Sequence, residues 1–158
     1  MCGILGSIGQ FNHIYKDSFH KALVQSNYRG PDYSDSHNFI SCNNEVFLGH
    51  NRLSIIDLNP TGNQPKFSHS RKSIIIFNGE IYNHLELRNK FPKDFKWASN
   101  SDTETLIELI EKFGISQTLS IIRGMFAFAL YDFKKDIITI ARDISGEKPL
   151  YLYFHDKG

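Results

Sequence analysis

The sequence has 158 residues, enough for one domain with a substantial hydrophobic core. Hydrophobic residues make up 41% and charged residues 22%, which is typical of a globular protein, and a net charge of +1 predicts no general attraction to nucleic acid or to membranes. No apolar run reaches the length of about 18 residues that a membrane span needs, no signal peptide is visible, and the two cysteines and seven histidines show the spacing of neither a disulfide framework nor a zinc site. We therefore expect a cytoplasmic domain without a metal ion.

The start of the chain, Met1-Cys2-Gly3-Ile4, places a thiol next to the N-terminus. If an aminopeptidase removes Met1, Cys2 carries a free α-amine, whose unperturbed pKa of about 7.7–8.0 lets it act as a base for the adjacent thiol. The alternative is that Cys2 is a small buried hydrophobic residue in an N-terminal strand. Residues 3–9 are predicted to form that strand, and their glycines leave room for another group beside the backbone.

The first half of the chain predicts one helix and one β-hairpin. The helix is expected over about residues 17–28 and should end at Arg29-Gly30-Pro31-Asp32. Four apolar side chains are predicted to face inward from it: Phe19, Ala22, Leu23 and Val24. Residues 38–42 and 45–51 are expected to pair as a hairpin, and residues 59–65 form a loop on turn chemistry alone.

The second half alternates strands and helices. A β-branched strand over residues 73–77 runs into Asn78-Gly79-Glu80, and a helix over about 83–90 follows. Ser101 and Glu104 fit a capping box at the start of an amphipathic helix that Gly114 ends. A short helix is expected near 116–122, and further strands are expected at 125–132, 137–142 and 149–154. This order indicates an α+β layered fold of two stacked antiparallel sheets flanked by helices.

Three polar positions in this framework are candidates for binding or catalysis, and each has a structural alternative. The Asn78 amide and the Gly79 N–H together could donate to a developing oxyanion, although Asn-Gly is also a common turn. Arg52 lies among apolar residues, where a guanidinium needs an anionic partner, either a substrate carboxylate or a structural salt bridge. Asp102 could bind a substrate ammonium, although a carboxylate is favoured in the first turn of any helix.

Seven short motifs occur in order along the chain. They are Cys2-Gly3-Ile4, Arg29-Gly30-Pro31-Asp32, Arg52-Leu53-Ser54-Ile55-Ile56-Asp57, Asn78-Gly79-Glu80-Ile81-Tyr82-Asn83, Ser101-Asp102-Thr103-Glu104, Gly124-Met125-Phe126-Ala127-Phe128-Ala129, and Arg142-Asp143 through Lys148-Pro149-Leu150-Tyr151. In this order they resemble the class II, or N-terminal nucleophile (Ntn), glutamine amidotransferase domain of glutamine-hydrolysing asparagine synthetases. The resemblance covers essentially the whole chain.

The resemblance implies the four-layer αββα sandwich of Ntn hydrolases and assigns three catalytic groups. Cys2 would attack the side-chain amide of L-glutamine, form a γ-glutamyl thioester and release ammonia, while its own α-amine moves the proton. Asn78 and the Gly79 N–H would form the oxyanion hole.

The resemblance also implies how glutamine is bound. Arg52 would hold the α-carboxylate, and Glu80 and Asp102 would hold the α-ammonium. The pocket would be completed by a run of backbone groups: Leu53, Ser54, Ile55 and Ile56.

The sequence departs from this family in two respects. Tyr28 stands where asparagine synthetases usually have histidine, and no Ser-Gly-Gly-Xaa-Asp-Ser phosphate loop is present. We therefore expect residues 1–158 to form a glutaminase domain without a cofactor, and we expect ATP, magnesium and the amidation of aspartate in a synthetase domain supplied downstream or in trans. Two alternatives remain open: a glutaminase that serves another ammonia acceptor, such as a sugar phosphate or phosphoribosyl pyrophosphate, and a non-catalytic structural or regulatory module of the same fold.

Overall fold

The computed structural model describes residues 2–10 and 13–154, with the side chains of residues 2–10 and 15–154. Its strands and helices are, in chain order, β1 (Gly3–Gly9), α1 (His13–Gln25), β2 (Tyr33–Ser41), β3 (Asn44–Arg52), β4 (Lys66–Phe67), β5 (Ser73–Ile81), α2 (His84–Arg88), α3 (Asp102–Phe113), α4 (Ile115–Ile121), β6 (Gly124–Asp132) and β7 (Ile137–Arg142). Short 3-10 turns at Asn27–Arg29 and Pro60–Gly62 follow α1 and β3.

The strands form two antiparallel sheets. The first has the order β1-β3-β2 and the second the order β4-β5-β6-β7. The predicted hairpin between β2 and β3 is confirmed, and Cys42 and Asn43 turn it with φ angles of 46° and 66°. Strand β3 lies in the middle of its sheet, which explains why Val46, Phe47 and Leu48 are all buried in succession.

Alternation along β5 builds the layers. Ile74 and Ile76 point toward the first sheet and pack with Val46 and Leu48. The intervening residues on β5 point the other way, into a core shared with α3 that includes Ile75, Phe77, Leu106, Leu109 and Phe128. On the far side of the first sheet, α1 contacts β3. The order helix, sheet, sheet, helix confirms the predicted αββα sandwich.

Two predictions about local structure are wrong. Helix α1 begins at His13 and ends at Gln25, earlier than expected. Ala22 is exposed and Val24 is 70% exposed, because both side chains lie outside the narrow inward-facing stripe formed by Phe19 and Leu23.

The strand expected at 149–154 is also absent. The run is apolar and aromatic, but β7 already occupies the sheet edge beyond β6, and these residues pair with no described strand. Four of their side chains are exposed: Tyr151, Leu152, Tyr153 and Phe154. A strand requires a hydrogen-bonding partner as well as a suitable side-chain pattern.

Candidate active site

A concave pocket lies where the start of β1, the end of β3 and the end of β5 meet. Nine of the ten positions that the sequence analysis assigned to a site line it: Cys2, Arg52, Leu53, Ile55, Ile56, Asn78, Gly79, Glu80 and Asp102. The exception is Ser54, whose backbone N–H is directed away and donates to Oδ2 of Asp32 at 2.7 Å. Residues up to 100 positions apart in the sequence therefore share one cavity.

Cys2 stands directly before β1, and the register of the first sheet fixes its neighbour. Gly3 pairs with Asn51 on β3, so the preceding Cys2 lies beside the residues that follow β3. The Leu53 N–H donates to the Cys2 sulfur at 3.4 Å, and the thiol lies 3.6 Å from the Leu53 carbonyl oxygen. Burial raises the pKa of the Cys2 thiol above its ordinary value. The thiol is thus protonated at neutral pH and needs a base before it can act as a nucleophile. Met1 lies outside the described residues, so its removal stays a prediction.

The Arg29-Gly30-Pro31-Asp32 segment holds Cys2 and the end of β3 together. Arg29 donates from Nε to the Cys2 carbonyl oxygen at 3.3 Å, and the Asp32 N–H donates to the Arg52 carbonyl oxygen at 3.0 Å. Gly30 lies so close to the backbone of Asn51 and Arg52 that no Cβ fits there. The sequence analysis recognised this segment as a turn and as one of the seven motifs but gave it no structural role, because its partners become visible only when β3 is folded beside it.

Tyr28, the one family departure in this region, is 81% exposed and does not line the pocket. Its substitution for histidine therefore leaves the contacts described above unchanged.

Arg52 is buried at the end of β3, and its guanidinium is fixed by the loop that follows. Nη1 donates to the Asn59 carbonyl oxygen at 2.9 Å and to Oδ1 of Asn63 at 2.7 Å, and Nη2 donates to the Asp57 carbonyl oxygen. Gly62 packs directly against the guanidinium, and a Cβ at this position would force it to shift. Among the described residues Arg52 forms no ion pair with a carboxylate, so the structural salt bridge considered above is not what holds it. Its charge stays available to the pocket.

Asn78 and Gly79 belong to a strand and not to a turn, because β5 continues to Ile81 and pairs with β6 as far as Gly124. The Asn78 side chain is buried, lines the pocket and has no hydrogen-bond partner among the described residues. A Cβ on Gly79 would overlap the Met125 carbonyl oxygen on β6, so only glycine fits at this position.

The free edge of β5 presents the Gly79 N–H to the pocket. Phe77 and Ile81, two residues to either side, donate their N–H groups to Oε1 of Gln64 at 2.7 Å and to Oδ2 of Asp102 at 2.9 Å. Alternate N–H groups of a strand point to the same side, so the Gly79 N–H points between these two acceptors. Its cross-strand partner Phe126 confirms this geometry, because the backbone of Phe126 bonds in the opposite direction, to Asp143.

Asp102 and Glu80 bring two carboxylates to the lining of the pocket. Asp102 is buried at the start of α3, and this burial, reinforced by the nearby Glu80, raises its pKa to about 6. The Ile81 N–H acts in the other direction and lowers the pKa. Neither carboxylate forms an ion pair with a described residue. The pair therefore forms an anionic wall suited to a cation, and the cationic Arg52 lines the same pocket.

The segment before α3 sets the position of Asp102. The Ser101 side chain accepts the Glu104 N–H at 3.2 Å, as the predicted capping box requires. The reciprocal half of that box is replaced, because the Glu104 carboxylate accepts the N–H groups of Ala98 and Ser99 at 2.8 and 2.7 Å. Glu104 thus fixes the chain that leads into Asp102.

Eight lining residues were missed as site candidates by the sequence analysis: Asp57, Gly62, Gln64, Phe77, Ser101, Thr103, Met125 and Lys148. Lys148 is buried and donates from Nζ to the sulfur of Met125 at 3.0 Å. Its inclusion in the last motif was the available signal, whereas Gln64 sits in a loop that carried no signal beyond its turn residues. Within the described residues no group of three or more acidic, histidine or cysteine side chains is arranged to hold a metal ion. In that same part of the chain, no helix combines the length and apolar character of a membrane span.

Comparison with known proteins identifies the family. A family model described as a glutamine amidotransferase domain matches residues 1–158. The chain is 39% identical over 131 residues to asparagine synthetase B (glutamine-hydrolyzing) of Escherichia coli, covering 83% of this chain and 23% of that protein. It is 36% identical over 155 residues to asparagine synthetase (glutamine-hydrolyzing) of Zea mays, covering 96% and 25%. It is also 41% identical over 128 residues to amidase chry2 of Gibberella zeae, covering 81% and 19%.

The chain thus spans about a quarter or less of the length of these relatives. The match over its whole length confirms the resemblance derived from the motifs. The chain belongs to the glutamine amidotransferase domain family.

Proposed function

We propose that this domain hydrolyses L-glutamine to L-glutamate and ammonia, with Cys2 as the nucleophile. The observation that carries the proposal is the arrangement of charges and donors around one cavity. The Cys2 thiol lines the pocket together with two donors that have no partner among the described residues, the Asn78 amide and the Gly79 N–H. The same pocket also holds a cationic and an anionic wall. An amino acid with a side-chain amide matches this arrangement at each of its polar groups.

The two walls fit the two charges of the amino acid. Arg52 would bind the α-carboxylate by a charge-assisted hydrogen bond, and its three bonds to the following loop hold it in place for this role. Asp102 and Glu80 would bind the α-ammonium, whose positive charge complements the two carboxylates. The side-chain amide of the substrate would then extend toward Cys2.

The chemistry follows from the groups around the thiol. With Met1 removed, the Cys2 α-amine takes the thiol proton while the sulfur attacks the amide carbon of glutamine and forms a C–S bond. The carbonyl oxygen becomes an oxyanion that accepts hydrogen bonds from Asn78 and the Gly79 N–H. The ammonium form of the amine returns its proton to the amide nitrogen, the C–N bond breaks, and ammonia leaves. Water then attacks the γ-glutamyl thioester, which releases glutamate and restores the thiol.

The relatives suggest where the ammonia is used. Those of Escherichia coli and Zea mays are named as glutamine-hydrolysing asparagine synthetases. We propose by analogy that the ammonia amidates aspartate in a synthetase domain, acting downstream or in trans, which would bind ATP and magnesium. We also propose a cytoplasmic location, because that is where such a partner finds its substrates.

A second candidate is delivery of ammonia to a different acceptor. It is supported by the similarity to amidase chry2, a relative whose name does not refer to asparagine. The glutaminase chemistry would be common to both candidates. A comparison of asparagine formation by the full gene product with its formation of other amides separates them.

The decisive experiment measures hydrolysis by the domain itself. Purified protein lacking Met1 is expected to release glutamate and ammonia in equal amounts from L-glutamine without ATP, and to form no asparagine from aspartate. Cys2→Ala should abolish turnover and leave glutamine binding largely intact. The glutamine analogue diazo-oxonorleucine should label Cys2 in wild-type protein and in a Cys42→Ala control. Undiminished turnover by Cys2→Ala would disprove the proposal.

A further inference from the structure

Gln64 links two parts of the pocket, the edge of strand β5 and the start of helix α3. Its Oε1 accepts the Phe77 N–H of β5 at 2.7 Å, and its Nε2 donates to Oγ1 of Thr103 on α3 at 3.2 Å. The side chain is 5% exposed and lines the pocket. Strand β4 ends its pairing with β5 at Ile74 and Ile75, so beyond that point Gln64 takes the place of a strand neighbour.

The Phe77 N–H, which Gln64 accepts, precedes the Gly79 N–H by one two-residue repeat of the strand. The N–H groups of Phe77, Gly79 and Ile81 point to the same side, and the outer two are fixed by Gln64 and Asp102. Fixing the two outer groups fixes the direction of the one between them. Asp102 and Thr103 are adjacent on α3, so the three hydrogen bonds close a ring from Gln64 through β5 to α3 and back.

His50, which lies on β3 in the first sheet, also contacts the backbone of Phe77. Its Nε2 lies 3.1 Å from the Phe77 carbonyl oxygen, and burial lowers its pKa to about 4, so that a neutral ring with a proton on Nε2 donates at neutral pH. Phe77 is therefore held through both of its backbone polar groups, by His50 at the oxygen and by Gln64 at the nitrogen.

We propose that Gln64 is a positioning residue for the reaction, which directs the Gly79 N–H at the oxyanion. This inference rests on the proposed hydrolysis of glutamine and adds to it a residue that never needs to touch the substrate. A purely structural Gln64 would stabilise the fold and leave the rate per folded molecule unchanged. The positioning role instead predicts a loss confined to the step in which the oxyanion forms.

The main test replaces Gln64 by methionine, which keeps the length of the side chain and removes both hydrogen bonds. The kcat of Gln64→Met is expected to fall about tenfold, less than the 10²–10³ that follows complete loss of an oxyanion donor. The Kd of L-glutamate, which has no tetrahedral oxyanion, should stay within about twofold of wild type. The affinity for the γ-aldehyde analogue of glutamine should fall by the same factor as kcat, because its thiol adduct places an oxygen in the oxyanion site.

Two further variants test whether the hydrogen bonds of Gln64 are responsible for the effect, and not the Gln-to-Met exchange as such. In Gln64→Glu the carboxylate still accepts the Phe77 N–H and can accept the Thr103 hydroxyl, so kcat should stay within about threefold of wild type. Gln117→Met makes the same exchange as the main test at an exposed position of α4 and should leave all three measurements unchanged. Folding of each variant is checked by its urea midpoint.

Several outcomes would overturn the inference. If the wild-type protein is active and Gln64→Met has the same kcat, Gln64 has no positioning role. If Gln64→Met loses affinity for glutamate and for the aldehyde by the same factor, Gln64 is a substrate contact instead. If Gln64→Met does not fold, Thr103→Val is used for the test. We expect its kcat to fall by less than that expected for Gln64→Met, with the Kd of glutamate unchanged. An unchanged kcat in Thr103→Val would contradict the positioning role. An inactive wild-type protein would instead disprove the proposed hydrolysis, and the role of Gln64 with it.

Discussion

The Leu53 N–H lies 3.4 Å from the Cys2 sulfur, although 51 residues separate them in the chain. This contact attaches the first residues of β1 to the loop that fixes Arg52, so the thiol and the guanidinium are positioned by one piece of backbone. It also gives the thiol a hydrogen-bond donor, which partly offsets the effect of burial on its pKa. The proposed nucleophile and the proposed carboxylate-binding residue are thus not independent parts of the pocket.

Processing of the N-terminus should control activity. While Met1 is attached, the Cys2 nitrogen is an amide and cannot take the thiol proton, and the raised pKa of the thiol leaves little thiolate at neutral pH. We expect protein that retains Met1 to be inactive and processed protein to hydrolyse glutamine. Intact mass measured on the same samples as glutamate release tests this. Full turnover by a homogeneous sample with Met1 would exclude the α-amine as the base.

Arg52→Ala should mainly raise KM for glutamine. Loss of a charge-assisted contact of about 1.5–3 kcal/mol corresponds to a KM roughly 10- to 150-fold higher. The loop held by the guanidinium loses three hydrogen bonds as well, so Arg52→Lys, which keeps the charge, is the matched variant and should show a smaller increase. Steady-state kinetics with each variant measures the effect. An unchanged KM in Arg52→Ala would restrict Arg52 to holding the loop.

Asn78→Ala should lower kcat instead. Removal of one oxyanion donor reduces kcat by a factor of about 10²–10³ and leaves KM nearly unchanged. Asn38→Ala, at an exposed position on β2, makes the same substitution in a strand and should have wild-type kinetics. A large rise in KM with constant kcat would instead mean that Asn78 binds the ground state of the substrate.

The affinity for glutamine should depend on the ionisation of Asp102. Burial raises the Asp102 pKa to about 6, so below this pH the free protein loses one of the two negative charges that face the α-ammonium. We expect the Kd of glutamine for the inactive Cys2→Ala variant to rise as the pH falls from 7 toward 5, by up to about tenfold per pH unit. Calorimetric titrations measure it. With Asp102→Asn added, this part of the pH dependence should disappear.

The same carboxylate should reduce stability at neutral pH. The folded pKa of about 6 exceeds the ordinary value of 3.8, so the folded state is increasingly disfavoured as the pH rises between these two values, and the full penalty is reached above pH 6. Near pH 4 the effect is small, because the folded group is protonated and the unfolded group is only partly ionised. A difference of about 2 pKa units corresponds to at most about 3 kcal/mol. Asp102→Asn should therefore raise the free energy of unfolding much more at pH 7.5 than at pH 4, as measured in urea. The exposed Asp94→Asn variant serves as control, and equal gains at both pH values would contradict the argument.

The layered fold could be predicted because each strand and helix carries its own periodicity, as Ile74 to Phe77 show by pointing alternately to the two cores. The status of Asn78-Gly79 could not be predicted from local sequence, since the pair is typical of a turn and becomes a strand only because β6 lies beside it. Gln64 and Asp32 were missed for a related reason. Their partners are backbone groups from distant segments, and such contacts leave no pattern in the nearby sequence.

The fit between Gly79 and β6 has a consequence for interpreting natural variation. Because any side chain at this position would overlap the Met125 carbonyl oxygen, selection for a correctly paired strand alone is enough to retain glycine. An invariant glycine in an alignment would therefore report on packing and would say nothing about catalysis. Asn78 is different, since its buried amide satisfies no group of the described fold. Invariance at position 78 would be informative about the reaction, and divergence there, with position 79 retained, would mark members that have kept the sandwich and lost the chemistry.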